Sequence, residues 1–119
     1  PEEQDLFRRQ AMADWDTILL ARARELAPGG KLVLANFCAD EQGRYLGHTG
    51  GVNMFDEFAR HWRDLWKAGR ITEAEYRGAT FQQFYKTPDE FAAPFRDPAS
   101  AVSKAGLVLD HISTMVTPC

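Results

Sequence analysis

The fold is decided by the stretch Leu26-Ala-Pro-Gly-Gly-Lys-Leu-Val-Leu-Ala-Asn-Phe37. Pro28 cannot continue a helix, and the pair Gly29-Gly30 permits the positive φ angles of a sharp reversal. Lys31 then opens the run of residues 32–37, which is apolar on both alternating faces until Asn36, as in a strand that is buried on both sides. The stretch therefore predicts a turn that leads from a helix into a buried strand of a parallel sheet.

Amphipathic helices are predicted on both sides of this stretch. Apolar residues recur every three to four positions across residues 4–26, and charged residues fill the opposite face. Residues 53–68 repeat that period and carry an aromatic stripe. Two capping boxes, in which a Thr and a Glu three positions later bond each other's backbone, predict two further helix starts. The later helices are expected from Thr72 (with Glu75) to residue 78, from Thr87 (with Glu90) to about residue 94, and over residues 97–105.

The order of the elements predicts an α/β fold. Residues 107–117 alternate between two faces and indicate a second strand, and residues 39–52 read as a glycine-rich loop. We expect residues 1–38 to be a helix and a late sheet strand, residues 39–96 a helical insertion, and residues 97–119 a helix and a final strand. This arrangement places the helical insertion on the carboxyl side of the sheet.

Composition excludes several classes of function. The 119 residues are 45% hydrophobic and 26% charged, with a net charge of −3 and no basic patch for nucleic acid or an anionic membrane. No apolar run approaches the roughly 20 residues of a membrane span, and no signal peptide is visible. We therefore expect a cytoplasmic protein, and the first residue, Pro1, leads us to expect further sequence upstream.

The usual catalytic and metal-binding patterns do not occur. The three His and two Cys residues lack metal-ligand spacing, and no Gly-x-Ser-x-Gly motif is present. The predicted insertion is instead rich in aromatic side chains, which have two interpretations. They form an ordinary core, or some of them line a pocket for a flat or apolar small molecule. The rings in question are Phe55, Phe58, Trp62, Trp66, Phe81, Phe84 and Tyr85.

Two blocks of sequence resemble the SABATH family. Its members are S-adenosylmethionine (SAM)-dependent methyltransferases that act on salicylate, benzoate, jasmonate, indole acetate and xanthine-type substrates. The first block is Gln10, Asp14, Leu19, Arg22, Glu25-Leu26 and Pro28-Gly29-Gly30, followed by the apolar strand. The second block is Gly69, Ile71, Glu73, Phe84, Pro88, Glu90 and Leu107-x-Leu109-Asp110-His111-Ile112. Both blocks occur in order and at family spacing, across nearly the whole chain.

The resemblance implies the C-terminal part of a class I, Rossmann-like methyltransferase sheet with an inserted helical substrate cap. Phe55 stands where family members place a Trp against the substrate ring, and Phe84 where they place a pocket Tyr. With their neighbours Met54 and Tyr85, these residues are the expected substrate-binding set. The substrate is expected to be an aromatic or apolar acid.

Other family features are missing from this sequence. The segment linked to a metal in some members is replaced by residues 77–80, and Gln82 replaces a Pro, so we expect no metal. The glycine-rich loop and the ribose-binding acid are not present, so the SAM site is expected upstream of this chain. This segment alone is then not expected to be active, and we expect no catalytic residue in it.

Two alternatives stay open at the level of the sequence. The chain is a non-catalytic α/β interaction module whose strand edges pair in a homodimer, or part of another nucleotide-binding α/β enzyme such as a dehydrogenase. The sequence does not distinguish methylation of oxygen from methylation of nitrogen.

Overall fold

A computed structural model describes residues 2–47, 53–79 and 83–116. Helices make up 53% of these described residues. Predictions that concern the glycines at 50 and 51, Phe81, Gln82 or residue 117 lie outside them. The helices are α1 (Glu2–Glu25), α2 (Met54–Lys67), α3 (Glu73–Gly78), α4 (Pro88–Arg96) and α5 (Ala101–Lys104).

The predicted α/β fold is wrong for the described residues, which contain no strand and no sheet. Residues 31–38 and 107–116 have no regular secondary structure, and within the described chain no backbone hydrogen bond joins either segment to a neighbour. A strand exists only as one side of a hydrogen-bonded ladder, so apolar alternation without a partner does not produce one. The Rossmann-like sheet expected from the sequence is therefore not formed by these residues.

The predicted helices are confirmed, and their starts are set by local side-chain caps. Thr87 accepts a hydrogen bond from the Glu90 backbone N at 3.2 Å, and the Glu90 carboxylate accepts one from the Thr87 N at 3.0 Å. The second predicted capping box, at the start of α3, is also present. The last helix is shorter than expected, because the Asp97 carboxylate accepts a bond from the Ala99 N at 2.8 Å. This local bond favours a turn over the first residues of the expected helix.

A small core forms where α1 meets α4 and α5. Trp15, Leu19 and Val102 are buried there, with Leu19 and Val102 wholly inaccessible to solvent. The indole Nε1 of Trp15 donates to the Phe91 carbonyl oxygen at 3.1 Å. The two rings meet edge to face, with centroids 5.0 Å apart, which is a favourable aromatic geometry. This core packs α1 against α4 and α5.

The α2–α3 hairpin is a second, smaller unit. Trp66 stacks on Tyr76 with ring centroids 4.7 Å apart, and the Trp62 Nε1 donates to the Tyr76 carbonyl oxygen at 3.3 Å. Gly69, with φ +67°, makes the reversal between the two helices. Within the described residues neither helix of the hairpin packs on α1, α4 or α5. The two units are joined by residues 39–47 and 83–87.

The described fold is open. Its radius of gyration is 18.6 Å, whereas a compact domain of this length has a radius of about 13–14 Å. Its accessible surface is 9108 Å², against roughly 6500 Å² for a compact protein of this mass. None of the described helices combines the length and the apolar composition that a membrane span requires.

The Glu90 carboxylate joins α4 to α1. Its Oε1 accepts a hydrogen bond from the Arg8 Nε at 2.6 Å while the same carboxylate caps α4. Burial is the largest single influence and opposes ionisation of Glu90. Hydrogen bonds from Arg8 and Thr87, and the charge of Arg8, outweigh it together and lower the pKa of Glu90 from its ordinary value of 4.5.

We expect Glu90→Gln to destabilise the protein at neutral pH. Its free energy of unfolding should also change less than that of the wild type as the pH is lowered. A depressed pKa contributes stability that is complete above the unfolded-state value of 4.5 and is lost as the pH falls below that value and through the lower pKa of the folded state. The free energy of unfolding should drop by about 1–3 kcal/mol at pH 7. Urea denaturation from pH 7 to pH 3 should show wild type and variant converging.

The matched variant is Arg8→Gln, which keeps the capping box and removes only the ion pair with Glu90. It should lower stability at pH 7 by less than Glu90→Gln and also converge with the wild type in acid. Parallel stability curves for Glu90→Gln and wild type across this range would contradict the role given to the carboxylate.

Candidate functional site

Two grooves open on the described surface. The first, of about 670 Å³, lies between residues 29–38 and 106–114, over the α1–α4 core. The second, of about 1060 Å³, lies between the first turns of α1, the face of α2 and residues 83–85, and we name it the aromatic cleft. Its size is slightly above the range of about 300–1,000 Å³ that is usual for small-molecule sites. Its described lining is Glu3, Gln4, Phe7, Ala39, Tyr45, Phe55, Phe58, Ala59, His61, Trp62, Leu65, Ala79, Gln83, Phe84 and Tyr85.

Local caps place the rings on two sides of the cleft. Phe55 lies in the first turn of α2, where its backbone N donates to the Asn53 side chain at 2.9 Å. Phe84 and Tyr85 lie just before the capping box of α4. The next residue, Lys86, accepts a backbone hydrogen bond from the Ala39 N at 3.0 Å. The rings are therefore positioned by backbone bonds at the ends of helices.

Residues 39–47 form a loop that links these two sides. Inside it the Asp40 carboxylate accepts bonds from the Gln42 N at 2.9 Å and from the Arg44 N and Nε at 2.8 Å. Desolvation opposes ionisation of Asp40, but these bonds outweigh it and lower the pKa of Asp40. At the far end, the Gly47 carbonyl oxygen accepts a bond from the Met54 N at 3.1 Å, where α2 begins. The loop is thus tied internally and at both ends.

Tyr45, on this loop, connects the rings of the cleft into a row. It stacks on Tyr85 with centroids 5.2 Å apart and planes 16° from parallel. Its centroid also lies 6.3 Å from that of Phe55, with 40° between the ring planes. Phe55 in turn meets Phe58 edge to face at 6.4 Å. All three separations are within the range of favourable ring pairs, about 4.5–7 Å.

The polar groups of the cleft are few. The Tyr85 hydroxyl donates to the Gln83 side-chain oxygen. Burial, and next the neighbouring Tyr45, raise the pKa of Tyr85 above its ordinary value, so the phenol stays protonated at neutral pH. Among the described lining residues there is an acid, Glu3, but no Lys or Arg. The described part of the chain also contains no cluster of three or more metal-ligating side chains.

The structure brings three of the four predicted substrate-binding residues to one place. Phe55, Phe84 and Tyr85 all line the aromatic cleft. Met54 lies beside them but packs its Cβ near Gly47, and it is absent from the described lining. The binding role of all four residues stays a prediction.

Two of the aromatic residues in the described lining were not predicted. Phe7 was assigned to the apolar face of the first helix, and Tyr45 lies in a loop without periodicity. The available signal was the order Asp40-x-x-Gly43-Arg44, because an Asp followed by a Gly marks a tight turn. A turn of that kind fixes the position of the aromatic residue that follows it.

One comparison with known proteins gives a match. The model of a family described as SAM dependent carboxyl methyltransferase matches residues 1–98, which include every described residue of the aromatic cleft. Neither the curated proteins nor the solved structures provide a match to this chain.

We expect Gly47→Ala to destabilise the protein more than Gly43→Ala does. Both glycines have positive φ, +96° and +73°, so both variants incur backbone strain of about 1–2 kcal/mol. A Cβ at position 47 would also lie 3.1 Å from the Met54 Cβ and 3.3 Å from the Phe55 ring, whereas position 43 faces open space. The added crowding should cost about 1–3 kcal/mol in urea denaturation.

The same pair of variants also reports on the cleft. Gly47→Ala should change the near-ultraviolet circular dichroism of the aromatic rings, since it displaces Phe55, and Gly43→Ala should not. Equal destabilisation of the two variants, with unchanged spectra, would show that Gly47 does not set the position of the cleft wall.

Proposed function

We propose a function from one premise: the chain belongs to the family of SAM-dependent carboxyl methyltransferases. Family membership implies that the protein uses SAM and a small-molecule substrate, and it favours a methyltransferase over a dehydrogenase. The proposal is that these residues are the C-terminal part of the enzyme and that the aromatic cleft receives the substrate. The observation that carries it is the meeting of Phe55, Phe84 and Tyr85 on one ring-lined cleft.

The lining of the cleft indicates which part of a substrate it would hold. Rings and aliphatic groups make up most of the wall, and the described lining has no Lys or Arg to pair with a carboxylate. The cleft therefore suits the apolar body of an aromatic or apolar acid, with the carboxylate directed out of it. A carboxylate is ionised near neutral pH and can act as a nucleophile without a general base, so this chain needs to supply only binding and orientation.

The described residues do not fit SAM itself. Enzymes of this class hold an adenosine where a strand ends in a glycine-rich loop, and no strand is present among the described residues. We therefore propose that the SAM site is formed by residues outside this chain. Residues 39–96 would act as the substrate cap, a role that fits their α2–α3 hairpin and the two segments that tie it to the α1 unit.

The direct test compares the full-length gene product with this 119-residue chain. Calorimetric titration with SAM should detect binding to the full-length protein only. With SAM and benzoic acid, the full-length protein should form methyl benzoate, detected by mass spectrometry. Methyl transfer by the 119-residue chain alone, or no transfer to any aromatic or apolar acid by the full-length protein, would reject the proposal.

We expect Phe84→Ala in the full-length protein to weaken benzoate binding more than it slows turnover. Removing a ring that contacts only the substrate body takes away apolar contact in both ground and transition states. The KM should rise roughly 10- to 100-fold, as expected for the loss of one buried aromatic contact, with kcat little changed. Leu6→Ala, on α1 outside the described lining, is the control and should leave both constants unchanged.

Self-association is a second candidate function. It is favoured by the exposed apolar side chains of residues 31–38 and 107–116, the two segments that have no regular secondary structure. Val33 is 90% exposed, Phe37 70%, Val108 80% and Met115 88%. Exposed apolar surface of this kind is unusual in a monomer and marks an interaction site. A homodimer would cover it in the chain as given.

Analytical ultracentrifugation of the 119-residue chain tests this candidate. We expect a concentration-dependent dimer in the micromolar range, and Val33→Lys should shift it to monomer because it places a charge in the contact. Leu6→Lys, on the exposed side of α1, is the control and should leave the dimer intact. A monomer at every concentration would exclude self-association through these segments.

A further inference from the structure

Among the rings of the described lining, Tyr45 alone belongs neither to a helix nor to residues 83–85. We propose that Tyr45 is a specificity-determining residue that makes the cleft prefer planar rings over puckered rings of the same size. This inference rests on the proposed function, because it assumes that the cleft receives the substrate. It goes further in naming the shape of the substrate body and the residue that selects it.

The first support is the position of Tyr45 between the two walls. Its ring contacts a ring of each wall, Tyr85 at 5.2 Å and Phe55 at 6.3 Å between centroids. Without it, the rings of α2 and those of residues 83–85 would not form one row. Tyr45 is also among the residues that line the cleft.

The second support is that Tyr45 is held in place by bonds that do not involve its own side chain. It follows the Asp40–Arg44 turn, whose carboxylate is 9% exposed and accepts three hydrogen bonds. The loop is joined to Lys86 at one end and to Met54 at the other. A fixed ring selects by shape, because a mobile ring would adapt to a planar or a puckered partner alike.

The third support is the near-parallel stack of Tyr45 on Tyr85, with 16° between the planes. Two stacked rings present flat faces and edges, which pair favourably with another planar ring and less well with a puckered one. The Tyr85 hydroxyl donates to the side chain of Gln83, a polar contact of this second ring. The stack therefore forms a flat part of the wall.

The test uses the full-length protein and two probes with seven carbons each, benzoic acid and cyclohexanecarboxylic acid. Dissociation constants are measured by calorimetry with S-adenosylhomocysteine present, which cannot donate a methyl group. We expect wild type to favour the planar acid and Tyr45→Leu, which keeps an apolar side chain without a ring, to reduce that preference roughly 2- to 10-fold. Tyr45→Phe keeps the ring and should retain the preference.

Thermal melting checks that each variant is folded, and Tyr45→Met replaces Tyr45→Leu if the latter is not. The inference is overturned if the ring-free variant weakens both acids equally, if it changes neither, or if wild type has no preference or binds neither acid. Methyl ester formation by the wild type is scored separately. A preference that depends on Tyr45 without ester formation would reject the proposed function alone, and ester formation with an unchanged preference would reject this inference alone.

Discussion

One carboxylate, that of Glu90, sets the arrangement of the described chain. It caps α4 through Thr87 and accepts a hydrogen bond from Arg8 on α1, so one side chain fixes both where α4 begins and where it lies. The Trp15 indole adds a second bond between the same two helices, to the Phe91 carbonyl. Because these bonds are made at the start of α4, the residues just before it are held beside the first turns of α1.

The aromatic cleft follows from that constraint. Phe84 and Tyr85 precede α4, and the backbone bond between Ala39 and Lys86 brings the loop of residues 39–47 to them. The loop in turn delivers Tyr45 to the middle of the ring row and leads to the start of α2. The cleft is therefore built from caps and backbone bonds, while its surface is apolar. The polar bonds that position the wall therefore lie outside the apolar surface of the cleft.

The described fold leaves much of its apolar surface uncovered. A radius of gyration of 18.6 Å and a core of a few residues around Trp15 and Leu19 describe a structure with much apolar surface still available. Burial of such surface is the main favourable term in folding and association. Association that covers this surface would therefore increase the stability of the chain.

The sequence by itself determined the helices, the family and the cleft rings Phe55, Phe84 and Tyr85. Helix starts are set by residues three positions apart, such as Thr87 and Glu90, so local chemistry is sufficient. Phe55 and Phe84 followed from the family pattern, which residues 1–98 match.

Only the tertiary structure decided that residues 31–38 and 107–116 form no strand and that Tyr45 lies in the cleft. Residues 31–38 have an apolar pattern typical of a strand, but a strand depends on a ladder with a distant segment, and no pattern within eight residues specifies that partner. Tyr45 could not be predicted for the same reason. It becomes part of the cleft because the backbone of Ala39 bonds to that of Lys86, and local sequence does not specify a contact between positions so far apart. Local bonds are encoded locally, whereas contacts between distant segments exist only once the chain has folded.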